Sequence, residues 1–126
     1  MMVLADTSIW VDFFRAGSHK ARMEQLIRQN RLMAHPFLVA ELALGNLRQR
    51  QQTLKNLDQL PQVSVLTLAE VRAMIEARHI YGTGIGLIDA HLVASCLAKP
   101  GTALWTRDNR LASVASSLGI LATFSS

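Results

Sequence analysis

Four of the nine acidic residues in this chain are oddly placed for surface charge. Asp6 directly follows the apolar run Val3-Leu4-Ala5, and Glu41 interrupts the apolar stretch from Phe37 to Leu44. Asp89 stands near the start of an apolar run that ends at Ala98, and Asp108 follows Thr102-Ala103-Leu104-Trp105 after Thr106-Arg107. A charge withdrawn from water without a partner is costly. Local explanations exist: Asp6 and Asp108 can each cap a following helix, and Asp89 suits the positive end of one. Glu41, in mid-helix, has the weakest such excuse. Four carboxylates that a fold could bring to one edge suggest a shared cation, and oxygen-only ligands favour Mg²⁺, with Mn²⁺ as the alternative. The remaining acids, Asp12, Glu24, Asp58, Glu70 and Glu76, read as solvated charge, Asp12 because it falls on the polar side of its helix.

Other chemistries find less support. His19, His35 and His79 are isolated, and His91 lies two residues from Asp89, so it points away round the helix; all four read as structural or surface residues. No Gly-x-Ser-x-Gly turn offers a nucleophilic serine. Tyr81-Gly82-Thr83-Gly84-Ile85-Gly86 is glycine-rich but lacks the Lys-Ser/Thr of a phosphate-binding loop, and reads as a flexible lead into the next helix. The single cysteine, Cys96, cannot form an internal disulfide and reads as core.

The elements that must position the four acids follow from hydrophobic spacing. Strands are expected over 2–5, 31–35, 63–66, 102–105 and 120–124. Helices are expected over 8–15, 20–29, 36–44, 46–57, 68–79, 87–98 and 109–118. Ser8 is a candidate cap for the first, with Asp6 as the competing one, and Thr67-Leu68-Ala69-Glu70 has the form of a capping box. The stretch 36–44 is apolar all round except for Glu41, which implies a buried helix. Strands alternating with helices give an α/β fold, a central and mainly parallel sheet of about five strands with helices on both faces. The carboxyl ends of such strands are where ligands bind, and Asp6 and Asp108 stand there.

With 126 residues, half of them hydrophobic, the chain suits one domain spanning 1–126. Thirteen Lys and Arg against nine acids give a net charge of +4, which permits an anionic partner such as nucleic acid. The longest apolar runs are too short to span a bilayer, and Asp6 comes too early for a signal-peptide core, so no membrane association and a cytoplasmic location are expected.

Asp6-Thr7-Ser8 after the first strand, Glu41 in an apolar helix, Asp89 opening another and Thr106-x-Asp108 after a late strand together resemble a PIN domain. The Trp10-Val11-Asp12-Phe13-Phe14 continuation resembles the VapC-type toxin branch of that family. The resemblance covers essentially the whole chain. It implies a Mg²⁺-dependent endoribonuclease, the toxin of a type II toxin–antitoxin pair, in which metal-activated water hydrolyses RNA. Carried onto this sequence, it implies Asp6 and Asp89 as direct metal ligands, with Glu41 and Asp108 direct or acting through water. Ser8 and Thr106 would support them, and Arg15, Arg48, Arg50, Arg107 and Arg110 are candidates for RNA phosphates. A cognate antitoxin and a homodimer are the implied partners. Two alternatives from other classes are a receiver-type Mg²⁺-binding signalling domain and a non-catalytic RNA-binding module; the first would want a second acid beside Asp6, where Thr7 and Ser8 stand.

Overall fold

The computed structural model describes residues 1–124. Three parallel strands, β1 (Met2–Ala5), β2 (Leu32–Met33) and β3 (Thr102–Trp105), lie in the order β2-β1-β3. The register pairs Val3 with Leu32 and Ala103, and Ala5 with Trp105. Val3, Leu4 and Ala5 are each completely buried. Successive strand residues face opposite sides, so both faces of the sheet are covered, as a parallel sheet requires.

Seven helices are found among the described residues: α1 (Thr7–Phe14), α2 (Lys20–Arg28), α3 (Pro36–Ala43), α4 (Arg50–Asp58), α5 (Leu68–Arg78), α6 (Leu87–Ala98) and α7 (Asn109–Ser117). Helix α6 is the central one: every residue from Ala90 to Cys96 is buried, consistent with its nearly unbroken apolar sequence. The expected capping box of α5 is formed, with the Glu70 N–H donating to Thr67 Oγ1 at 3.1 Å and the Thr67 N–H donating to Glu70 Oε1 at 2.8 Å. Such a cap is worth about 1 kcal/mol. Cys96 is buried as expected, and burial pushes its thiol up to about 12.

Three expectations need correction. The sheet has three strands rather than about five among the described residues, because the two outer segments make only single parallel bridges, Ala34 to Gln62 and Leu104 to Leu121. On one edge Pro61 has no N–H to give, and the Ser64 carbonyl accepts from Ser95 Oγ of α6 at 2.7 Å instead of from a strand. On the other edge Gly119, at φ +73°, turns the chain into a pairing that lasts one residue. Helix α4 starts at Arg50, not 46, because Gln49 sits in the left-handed region at φ +48°. Helix α3 is buried only along Leu38 and Leu42, leaving Phe37 39% exposed, while Leu44 at its C-terminal cap is 90% exposed.

Candidate active site

Helices α1 and α7 begin where β1 and β3 end, and parallel pairing of those strands brings the two junctions together. The Asp6 N–H donates to the Trp105 carbonyl at 3.0 Å, so the two chain turns share one edge. Asp6 is buried and is itself the cap of α1: its Oδ1 accepts the Ile9 N–H at 3.2 Å. Ser8 is therefore not the cap. Its hydroxyl donates to Asp6 Oδ1 at 2.5 Å, and Thr106 Oγ1 donates to Asp6 Oδ2. The same two hydroxyls accept backbone donors from the far side, Ser8 from the Arg107 N–H and Thr106 from the Asp108 N–H, both at 2.9 Å. The carboxylate of Asp6 is thus fixed by side chains from both turns, and the Thr106–Asp108 turn is fixed in return.

Asp108 is exposed and caps α7, accepting the Leu111 N–H at 2.9 Å. Asp89, in the first turn of α6, accepts the Gly86 N–H at 3.4 Å. Glu41 is exposed on α3 and lines a cleft of about 910 Å³ together with Arg15 and Arg48. The Asp89 carboxyl is raised above its ordinary range. Burial is the main cause, the Gly86 N–H opposes it, and the carboxylates of Asp6, Asp108 and Glu41 add to it. Three of the four acids chosen from sequence therefore bear on the fourth, Asp89.

None of the four forms a salt bridge among the described residues, where the one ion pair joins Arg107 and Asp12. Nor, among those residues, do three or more Asp, Glu, His or Cys side chains stand close enough together to hold a metal ion as they are placed. Carboxylate oxygens open to water are the donor type that a hard divalent ion takes while keeping part of its hydration shell, and Arg15 and Arg48 share the cleft of Glu41.

The arginines divide. Arg50 donates to the Gly45 carbonyl at 3.1 Å and to the Ala43 carbonyl, closing the end of α3. The Arg107 guanidinium donates to Asp12 Oδ1 at 2.9 Å. Arg15 and Arg48 stay beside Glu41, and Arg110 lies along the glycine-rich loop.

Asp12 corrects the sequence reading, which put it in solvent. It is buried, its Oδ2 accepts the His19 N–H at 3.2 Å, and its pairing with Arg107 spans 95 positions. Through Arg107 it holds the turn that carries Thr106 and Asp108. A local signal existed in Gly17: a Cβ there would lie 2.2 Å from Asp12 Oδ1. Only glycine leaves room for the carboxylate. His35, read as structural or surface, is structural: it is wholly buried, and its Nδ1 accepts the Phe37 N–H at 3.0 Å to cap α3. Burial, then the neighbouring His91, lowers its pKa to about 4.

The PIN domain family matches residues 3–117, which is most of the chain. The chain belongs to the PIN-domain family. Ribonuclease VapC32 of Mycobacterium tuberculosis, in strains CDC 1551 / Oshkosh and ATCC 25618 / H37Rv, is 38% identical over 119 residues, covering 94% of each chain. Within the family, then, this is a VapC-type PIN domain. The crystal structure of PAE2754 from Pyrobaculum aerophilum aligns with a TM-score of 0.63 at 18% identity, over 91% of this chain and 85% of that one, and speaks for the fold alone. PIN-domain membership displaces the receiver-type alternative. No helix among the described residues is long and apolar enough to cross a membrane.

Proposed function

We propose that the protein is a divalent-metal-dependent endoribonuclease and the toxin of a toxin–antitoxin pair. The observation that carries this reading is the placement of Asp6, Glu41 and Asp108 near enough to Asp89 to add to the rise that burial gives its carboxyl, at an edge where none of the four forms a salt bridge among the described residues. The 38% identity to a named ribonuclease supports it.

Asp6 and Asp89 would hold the metal directly, and Glu41 and Asp108 directly or through water. Mg²⁺ or Mn²⁺ bound there would lower the pKa of a bound water and offset charge on the phosphodiester. The chain's own contribution is placement. Ser8 and Thr106 orient the Asp6 carboxylate, since each hydroxyl donates to a different oxygen of it. Asp12 and Arg107 hold the Thr106–Asp108 turn against it. Arg15 and Arg48, in the cleft with Glu41, would take RNA phosphates.

The partners proposed with this reading are a cognate antitoxin and a second copy of the chain. Apolar surface supports a protein partner: Leu44 is 90% exposed, and Trp10, Phe13 and Phe14 line a groove of about 550 Å³ with Leu57, Leu60 and Pro61. Exposed apolar patches of this kind mark interaction sites.

The test is incubation of purified protein with total RNA, with Mg²⁺, with Mn²⁺ and with chelator, followed by mapping of new ends. Metal-dependent internal cuts that vanish in Asp6→Asn are expected. Cleavage that persists in excess chelator would sink the metal mechanism. RNA binding without cleavage under any divalent ion would favour the non-catalytic module. Expression alone should arrest growth, and Asp89→Asn should relieve the arrest.

A further inference from the structure

Of the four acids, Glu41 is the least tied. Asp6, Asp89 and Asp108 each accept a backbone N–H. Glu41 is exposed on α3, and no such bond holds its carboxylate among the described residues, so its distance from the other three is set by where α3 lies. It nevertheless stands near enough to Asp89 to add to the rise of that carboxyl.

Three rings join the start of α3 to α6. His35 and Phe37 flank Pro36, the first residue of α3, and His91 stands two residues after Asp89 in α6. The Phe37 centroid is 4.6 Å from that of His91 and 5.1 Å from that of His35, with the planes at 64° in both pairs. The two histidine centroids are 6.1 Å apart at 67°. All three are edge-on contacts within the range that aromatic pairs favour. Phe37 and Glu41 are four residues apart, so they lie on one side of α3, a turn from each other. The cluster therefore touches the two helices close to Glu41 on one and to Asp89 on the other.

Hydrogen bonding does not account for the cluster. His35 Nδ1 accepts the Phe37 N–H, which leaves the ring proton on Nε2. That Nε2 and the Nδ1 of His91 are buried without a hydrogen-bond partner among the described residues. A buried polar atom left unpaired is a cost, so packing of the rings is what joins the helices there.

We propose that Phe37 and His91, seated on His35, are positioning residues: their ring contact sets the approach of α3 to α6, and with it the spacing of Glu41 from Asp89 at a bound divalent ion. The proposal rests on the metal-dependent ribonuclease reading and extends it to residues outside the carboxylate set. The rings act through the carboxylates that their helices carry.

The test titrates the metal-stripped full chain with Mn²⁺, with no RNA present, and follows free Mn²⁺ by its electron paramagnetic resonance signal. Phe37→Ala and His91→Leu should each weaken Mn²⁺ binding about ten-fold, the low end of what losing a ligand's support costs. His91→Phe keeps a ring and drops the unpartnered nitrogen, so it should bind like the parent and melt no lower. Leu26→Val trims a buried side chain of α2, away from the rings, and should bind like the parent although it costs stability. In a Glu41→Gln background Phe37→Ala should add little, because the carboxylate it positions is already gone. Phe37 is 39% exposed, so Phe37→Ala leaves a folded protein to measure even where His91→Leu does not fold. Parent-like affinity in Phe37→Ala overturns the proposal. So does an equal loss of affinity in Leu26→Val, which would trace the effect to stability alone, and so does an undiminished effect of Phe37→Ala in the Glu41→Gln protein. Absence of Mn²⁺ binding by the unsubstituted chain would overturn the metal-dependent reading itself, whereas binding by that chain with unaltered affinities in the variants overturns the positioning role alone.

Discussion

The contact between Gly17 and Asp12 gives a sharp test of how the site is held together. A Cβ at position 17 would meet Asp12 Oδ1 at 2.2 Å and Oδ2 at 2.6 Å, so Gly17→Ala must drive the carboxylate away. The carboxylate would then lose the His19 N–H and the Arg107 guanidinium. Arg107 is half exposed, so its share is about 0.2–1 kcal/mol. The bond from a backbone N–H to a buried charged acceptor is worth about 1.5–3 kcal/mol. Together they put Gly17→Ala at about 2 kcal/mol destabilising, with Asp12→Ala similar. At about 2.1 cal/mol/K per residue, 126 residues give an unfolding entropy of about 0.26 kcal/mol/K, so each variant should melt about 7 °C lower. With Asp12→Ala already in place the obstacle is gone. Gly17→Ala should then be neutral or stabilising by about 0.4–1 kcal/mol, because alanine restricts the unfolded chain. The assay is urea unfolding of the four proteins in a double-mutant cycle, run in chelator to keep metal out. RNA cleavage by Gly17→Ala should fall along with stability, because the Thr106–Asp108 turn loses its tether. If Gly17→Ala costs the same in both backgrounds, the Asp12 carboxylate does not occupy that space, and its role in positioning the turn is refuted.

Two pH predictions have opposite signs. His35 is neutral in the fold, with a pKa lowered to about 4 from 6.5, so the unfolded chain binds its proton first and stability should fall as pH drops through that window. The slope should approach about 1.4 kcal/mol per pH unit. His35→Asn keeps a capping side chain and should flatten it; an equal slope in the variant would clear His35 of any part. Asp89 behaves the other way: its raised pKa means the folded protein holds the proton longer, so its contribution declines as pH rises past the ordinary 3.8 and through the raised value. In chelator, Asp89→Asn should gain stability over the parent as pH climbs from 3 to 7. A constant or shrinking difference would mean that Asp89 serves only as a helix-end charge.

What was legible in the sequence follows the range of the interactions involved. Glu41 and Asp89 stood out because each interrupts an apolar run, and Asp6 and Asp108 because each follows one, and a run is visible in one dimension. That they share an edge came from the alternation of strand and helix, which fixes which turns face the same way. The sheet edges were not legible. Residues 63–66 carry a strand's composition, yet Ser95 of α6 takes the Ser64 carbonyl, a contact 31 positions away. Asp12 failed for the same reason: its helical phase points it off the aromatic face of α1, which looked like solvent and proved to be Arg107, 95 positions on.

Asp6 shows that the bland and the functional explanations of a residue need not compete. Its Oδ1 caps α1 while Oδ2 receives Thr106, so one carboxylate starts a helix and joins two strand ends. Helix α3 teaches the converse. Its sequence has the composition of a fully buried helix, yet Phe37 and Ala40 are exposed and Leu44 at its end is almost wholly so. The apolar pattern there was read as a buried helix, and the chain buries only the line through Leu38 and Leu42. Composition records every surface that a protein buries over its working life, whether its own chain or a partner covers it. On the helix that carries Glu41, that mismatch leaves Phe37, Ala40 and Leu44 open to solvent.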